Sequence, residues 1–452
     1  MQPTSTPEEN EKINRLVKPM TEMFGLSRAL ALLVIILSVS VLVLAIYWFF
    51  HSAPPRVLTI TAGPDGSAFQ TNAQKYSAIL ASNGVTLRIL PSQGSEENLK
   101  RLNDPSFQVD VGFVQGGVTN DLSTSKLVSL GSISYEPLLI FYRGDATNGL
   151  LSDLVGRRLA IGADGSGTHS LAMTLLALNG MTNGLTTLLN LDADAAAAGL
   201  TNGTVDAAFV MGDSASPELI RRLLRSHHTH LLNISQADGY TRRISYLNKL
   251  ELPMGSLDFG NNIPARDVQL IGPTVEILAR PTLHPALCDL LLEAAQKVNG
   301  GASLLKRKGE FPAPLEHDFA ISDEASRYYK SGKSFLYKYL PFWLASLANR
   351  ILLVFVPLLV VAIPAVKAIP ALFKWRVRQR IFRRYRALLA LEREVDEMMT
   401  PQKREKLVTR LDSIEEAVNK MKVPVSFADQ FYSLRGHITF VRSRLIEEAQ
   451  PH

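Results

Sequence analysis

The chain has 452 residues, 46% of them hydrophobic and 20% charged, with a formal net charge of +6. That length exceeds one ordinary domain, and the composition excludes a wholly disordered chain. Cys288 is the only cysteine, which excludes an intrachain disulfide and a thiolate metal cluster; lying in the apolar run LCDLLLEAA, it reads as a core residue.

Taken in order, residues 1–28 form a tail ahead of residues 29–50, a stretch with no charge. As a helix this stretch is long enough to cross roughly 30 Å of hydrocarbon. Trp48, Phe49 and Phe50 close it like an interfacial aromatic belt, and the flank YWFFHSAPP offers no small-x-small cleavage site. The expectation is an uncleaved anchor.

After Pro54-Pro55 the grammar becomes strand, turn, helix. Residues 57–62 predict a strand, 68–81 a helix, 85–90 a strand, 96–102 a short helix and 109–114 a third strand. Such alternation predicts an α/β domain with a mainly parallel sheet. Ligands on such sheets gather at the carboxyl ends of the strands, here the turns at Gly66-Ser67, Ser92–Ser95 and Gln115.

The same grammar restarts at 158–162 with a strand, a glycine-rich turn at 163–168 and a helix over 170–178. A helix start presents unpaired N–H groups and the positive end of the dipole, so this turn is a ready anion site. Thr168-His169 supplies no phosphate-loop lysine, which argues against a nucleotide. Strands at 187–191 and 205–211 flank an alanine-rich helix at 193–200. The apolar runs 133–143 and 268–279 suit two crossings between lobes. One lobe then comprises about 56–134 plus 268–335, completed by a helix over 284–298, and the other about 144–245.

A second apolar stretch, 351–373, carries Pro357, Pro364, Lys367 and Pro370. Beyond it, residues 374–386 hold seven basic residues and no acidic one, the mark of a cytoplasmic flank that also attracts anionic lipid headgroups. Both termini are expected inside and the lobes outside. In 374–452, Leu388, Leu391, Val395 and Met398, then Leu407, Leu411, Ile414, Val418 and Met421, then Phe431, Leu434, Ile438, Val441 and Leu445 beat at heptad spacing. This predicts a compact helical cytoplasmic unit, suited to self-association or to a cytoplasmic partner. The membrane-flanking position accounts for the basic cluster without nucleic acid.

The segments TAGPDGSAFQ (61–70), SQGSEENLKRL (92–102), VDVGFVQGG (109–117), SYEPLLIFYR (134–143) and DLVGRRLAIGADGSGTHSLA (153–172) give the chain a resemblance to a known family. It resembles the TAXI-type solute receptors of tripartite (TRAP) transporters over about residues 57–333. The resemblance implies an α/β, two-lobed periplasmic-binding-protein (type II) fold over 56–335, facing the periplasm of a bacterial inner membrane. Here that fold is flanked by transmembrane helices at 29–50 and 351–373 and followed by the helical unit at 374–452. It implies capture of a small organic anion, a carboxylate or an amino acid such as glutamate, with no cofactor and no metal. Matching motifs carry the site to Gly66, Ser67, Gln93, Gly94, Ser95, Asn98, Gln115, Gly165, Ser166, Gly167 and Thr168, with Tyr135 and Glu136 on the crossing as second-rank positions. A TRAP permease is the partner the family implies. The second membrane crossing and the cytoplasmic extension depart from the family and leave inward signalling of ligand occupancy open.

Other classes are weaker. Ser166, His169 and Asp164 lack the G-x-S-x-G elbow of a hydrolase. His227, His228 and His230 lie in a polar connection without accompanying metal-ligand spacing. A membrane scaffold with a vestigial pocket is the remaining alternative.

Overall fold

The computed structural model describes residues 28–118, 126–145, 147–226, 228–315, 318–395, 401–421, 423 and 427–447. His227, Met398 and residues 1–27 of the expected tail lie outside them. The chain divides into two units, Ser52–Arg350 and, together, Met1–His51 with Ile351–His452.

The first unit contains two five-stranded sheets. β1 (Val57–Thr61), β2 (Thr86–Leu90), β3 (Val111–Gln115) and β4 (Val128–Tyr135) precede β5 (Leu139–Tyr142), β6 (Arg158–Ala160), β7 (Thr187–Leu189), β8 (Ala207–Val210) and β9 (His230–Leu231). β10 (Asn248–Leu252), β11 (Val268–Gly272) and β12 (Thr274–Ala279) follow. One sheet runs β2-β1-β3-β12-β4 and the other β7-β6-β8-β5-β9. In each, four strands run in one direction and the strand arriving from the other lobe, β12 or β5, runs against both of its neighbours. A strand that comes straight across, without a helix to turn it round, enters its sheet from the opposite direction. Each sheet is therefore mixed by that one reversed strand, its other four keeping the expected common direction.

The expected crossing at 133–143 is divided between β4 and β5, and that at 268–279 between β11 and β12. β11 pairs with β10 as a separate antiparallel ribbon, an element absent from the sequence reading. Between β11 and β12, Pro273 has no N–H to continue a ladder. The crossings touch there: Glu136 N donates to Pro273 O at 2.8 Å, and Leu138 N to Ile271 O at 2.9 Å. A Cβ on Gly272 would overlap Glu136 O, so only glycine allows this approach.

Helices cover both faces of each sheet. Leu58, Ile60, Tyr76, Phe113, Ile277 and Leu291 share one core of the first sheet; Leu99, Val114, Leu278 and Phe319 form a smaller core of the same lobe. Leu159, Leu171, Leu175 and Phe209 fill one core of the second lobe, and Phe141, Leu200, Val210 and Leu270 the other. Cys288 is buried in the first of these cores, where burial pushes its thiol up to about 12. Serine or aspartate caps fix many helix starts: Ser67, Ser166, Asp192, Ser216 and Ser322 each accept the backbone N–H three residues on.

Among the described residues two helices are long and apolar enough to cross a membrane, with spans at Leu32–His51 and Phe342–Pro364. The second span starts nine residues before the expected 351, at the start of one continuous helix, Phe342–Val395. Its first turns have Ala345 and Ser346 buried and group with the two-lobed unit. In the other unit that helix, Pro401–Asn419 and Ala428–Glu447 share one apolar core of Leu388, Leu391, Leu407, Leu411, Ile414, Leu434, Ile438 and Val441. The heptad positions point into a shared interior, since one narrow stripe per helix cannot be shielded alone.

Candidate functional site

Three helix starts meet at the seam between the lobes. Ala68–Ala81 and Ser95–Asn103 belong to the first lobe and Gly167–Leu178 to the second. The last begins three residues ahead of the expected 170, because Ser166 caps it by accepting His169 N at 3.1 Å. Ser95–Asn103 begins at Gly94 without any side-chain cap, so its leading N–H groups need partners from elsewhere.

Those partners are supplied across the seam. Glu97 N donates to Gly165 O at 2.9 Å, and Ala68 N donates to Gly212 O at 3.0 Å and Ala215 O at 3.2 Å. Asp213, in the turn after β8, places its carboxylate between the other two starts. Its Oδ2 accepts from Gly167 N at 2.6 Å and, at a longer 3.5 Å, from Ser95 N. Its Oδ1 accepts from the hydroxyls of Thr168 at 2.8 Å and Ser214 at 3.0 Å. Asp213 has no exposed surface. Burial pushes its pKa up, while the donors from Thr168, Gly167, Ser214 and Ser95 oppose that rise.

The expected site residues separate into three groups. Gly94, Ser95, Gly165, Gly167 and Thr168 converge at this seam, together with Gln115, whose Nε2 donates to Gly167 O at 2.8 Å. Gln115 Oε1 is buried without a hydrogen-bond partner, a costly acceptor to strand. Glu136 also belongs here: it is buried, and the backbone N–H groups of Gly212 and Asp213 face it. Burial first, and then the Asp213 charge, push its carboxyl up to about 8.

Ser67, Ser166 and Asn98 are buried but committed to the framework. Ser67 caps its helix. Asn98 accepts from Thr61 Oγ1 at 2.6 Å and Ser92 Oγ at 2.7 Å, and donates to Phe113 O at 2.8 Å and to Ala62 O. Its carboxamide ties β1, β3 and the intervening turn together and faces no seam group. Gly66, Gln93 and Tyr135 are not among the groups bonded to the carboxylate, although Gln93 faces Gly165 across the seam. Gly66 and Gln93 are exposed. Tyr135 OH donates to Glu310 Oε1 at 2.8 Å and lines a separate surface cavity of 740 Å³ with Lys249, Lys306 and Glu310.

Hydrolase geometry is not what Ser166 makes: its Oγ donates to Ala163 O at 2.7 Å and bonds the backbone of His169, not its ring. The His169 ring faces Asp164 at 3.7 Å. Among the described residues no group of three or more His, Cys, Asp or Glu is arranged to hold a metal ion.

Asp213 is the residue that sequence reasoning missed. Its signal was available in the position, directly after β8 at the carboxyl end of a parallel strand, where the fold collects ligands. No spacing rule, however, ties residue 213 to 95 or 167.

Two mixed α/β sheets joined by two adjacent crossings, with helix starts facing one another across the seam, define a solute-binding fold of the periplasmic type II class. Residues 61–256 match the profile of the NMT1-like family. Among solved structures the chain is similar to the alkanesulfonate-binding protein SsuA from Xanthomonas axonopodis pv. citri bound to MOPS (17% identity, TM-score 0.36, covering 55% of this chain and 74% of that one). It is also similar to the periplasmic aliphatic sulphonate binding protein SsuA from Escherichia coli (16%, 0.35, 54% and 73%) and to an ancestral arginine-binding protein bound to arginine (12%, 0.36, 54% and 92%). Among curated proteins none matches.

Proposed function

We propose that the chain is a membrane-tethered, extracytoplasmic solute-binding protein of the TAXI type that closes its lobes on the carboxylate of a small organic acid. The observation that carries this is the seam itself, where N–H groups of helix starts in both lobes converge on one carboxylate without any basic side chain. Backbone donors held by a helix dipole replace the hydration of a carboxylate with no flexible cation to order. The site then serves TRAP-type uptake or reports occupancy inward through the cytoplasmic helices. A second reading, a closed scaffold that takes no solute, is favoured by the burial of Asp213 on those same donors.

Thermal unfolding of the full chain in lipid nanodiscs, with and without acetate, succinate and L-glutamate, tests the proposal. A ligand at a hundredfold excess over its Kd stabilises the folded state by about 2.7 kcal/mol, which moves the midpoint by several degrees. A rise with one of these acids, absent with equimolar chloride, is expected. No rise with any carboxylate at millimolar concentration favours the scaffold.

A further inference from the structure

The carboxylate on the seam donors belongs to the chain. We propose that Asp213 is an intramolecular ligand: it occupies the place of a solute carboxylate, latches the lobes closed, and must be displaced before an external carboxylate binds. This rests on reading the seam as a carboxylate site.

Four features of the seam lead there. Both oxygens of Asp213 are engaged: Gly167 N and the Thr168 and Ser214 hydroxyls hold them within the second lobe, and Oδ2 reaches across the seam to Ser95 N of the first at 3.5 Å. A ligand in a two-lobed receptor makes the same bridge. The space is built around this side chain: a Cβ at Gly94 would stand 2.5 Å from Asp213 Oδ2, and one at Gly63 would overlap Asp213 O. Residues small enough to admit the Asp213 turn thus stand on the lobe facing it. The donors are neutral N–H and O–H groups, and the neighbouring titratable side chain is another acid, Glu136, which supplies no positive charge. An incoming carboxylate therefore cannot sit beside Asp213 without placing like charges together in a buried site; it has to exchange with it. Finally, Asp213 lies in a short turn between β8 and the helix Pro217–Leu224, so it can swing out without unravelling a strand or helix.

Such a latch lowers the apparent affinity for solute by the fraction of molecules in which the donors are free. Removing it raises affinity. The experiment compares the full chain in nanodiscs with its Asp213→Ala and Asp213→Asn variants, titrated calorimetrically with acetate, succinate and L-glutamate. Asp213→Ala is expected to bind at least one acid roughly tenfold or more tightly than the parent, and Asp213→Asn, which keeps the shape but not the charge, to gain less. Equal affinities in all three proteins overturn the latch and leave the carboxylate site standing. Binding by the parent that is lost in both variants also overturns it, because Asp213 then recognises the solute instead of competing with it. If none of the three binds any acid, the latch and the carboxylate reading fall together. Should Asp213→Ala lose its helical circular dichroism, the isosteric Asp213→Asn carries the comparison, and a gain there is still required.

Discussion

Glu136 carries an acid group that the fold holds near neutrality. It is fully buried at the crossing, and burial together with the neighbouring Asp213 raises its pKa to about 8. Glu276, buried on β12 and accepting from Ser129 Oγ at 2.6 Å, is raised by burial to about 7. A carboxyl whose folded pKa lies above its unfolded value keeps a proton that the unfolded chain has released. Its stabilising contribution is therefore complete below about pH 4.5 and is lost as pH climbs through the folded value. The full chain is expected to lose stability from pH 5 to pH 8, by an amount on the order of a few kcal/mol. Glu136→Gln should abolish the part of that fall lying above pH 7 and make the fall below it shallower, leaving the contribution of Glu276. Thermal midpoints of parent and variant across this range check the claim; parallel curves would mean that Glu136 titrates normally.

Among the elements, the helix Ser95–Asn103 starts at the seam without a side-chain cap and draws partners for its leading N–H groups from the other lobe. Gly94, at φ 136°, has no side chain to cap it, and a Cβ added there would meet Asp213 Oδ2 at 2.5 Å and the Cα of Ser166 at 3.2 Å. Gly94→Ala should therefore suffer twice, from a backbone angle disfavoured for L-residues and from a wedge driven into the seam. Backbone strain of this kind costs about 1–3 kcal/mol. Gly84, at φ 76° with nothing within 4 Å of the place an added methyl group would take, isolates the first of these effects. Gly94→Ala is expected to lower the unfolding midpoint more than Gly84→Ala, and only Gly94→Ala should enlarge the particle by small-angle scattering. Equal losses in the two variants would place no wedge at the seam.

At the scale of the whole molecule, the charge pattern predicts a topology. Seven basic residues follow the second apolar stretch within 374–386, against few beside the first. The expectation from the positive-inside rule is that the two-lobed unit faces outward and the helical unit inward. Asp194 is exposed on the former and Lys420 on the latter. The only native cysteine, Cys288, is buried, so labelling has little background. In intact cells an impermeant maleimide should label Asp194→Cys and spare Lys420→Cys until the membrane is permeabilised. Labelling of Lys420→Cys in sealed cells would remove the second crossing and with it any inward report of occupancy.

The alternation of strand and helix, the two apolar helices and the heptad stripes were legible in the sequence, because each is set by local periodicity and by side chains within a turn or two. The turns at Gly94 and Gly165 were legible for the same reason: glycine beside a helix start announces free N–H groups wherever the chain goes next. Other outcomes depended on long-range geometry. Whether β11 joined a sheet or a ribbon was set by its antiparallel pairing with β10 and by Pro273 ending the ladder. Asn98 looked like a ligand residue from its motif, yet β1 and β3 close around it and use up its carboxamide. Asp213 had no motif at all. Its carboxylate met Gly167 because the second lobe packs the turn after β8 against that helix start, and it reached Ser95 because the first lobe closes on the second; contacts between residues 46 and 118 positions apart have no local signature. Periodicity determined which elements form; the packing within the second lobe and the closing of the two lobes decided which acid sits on their helix starts.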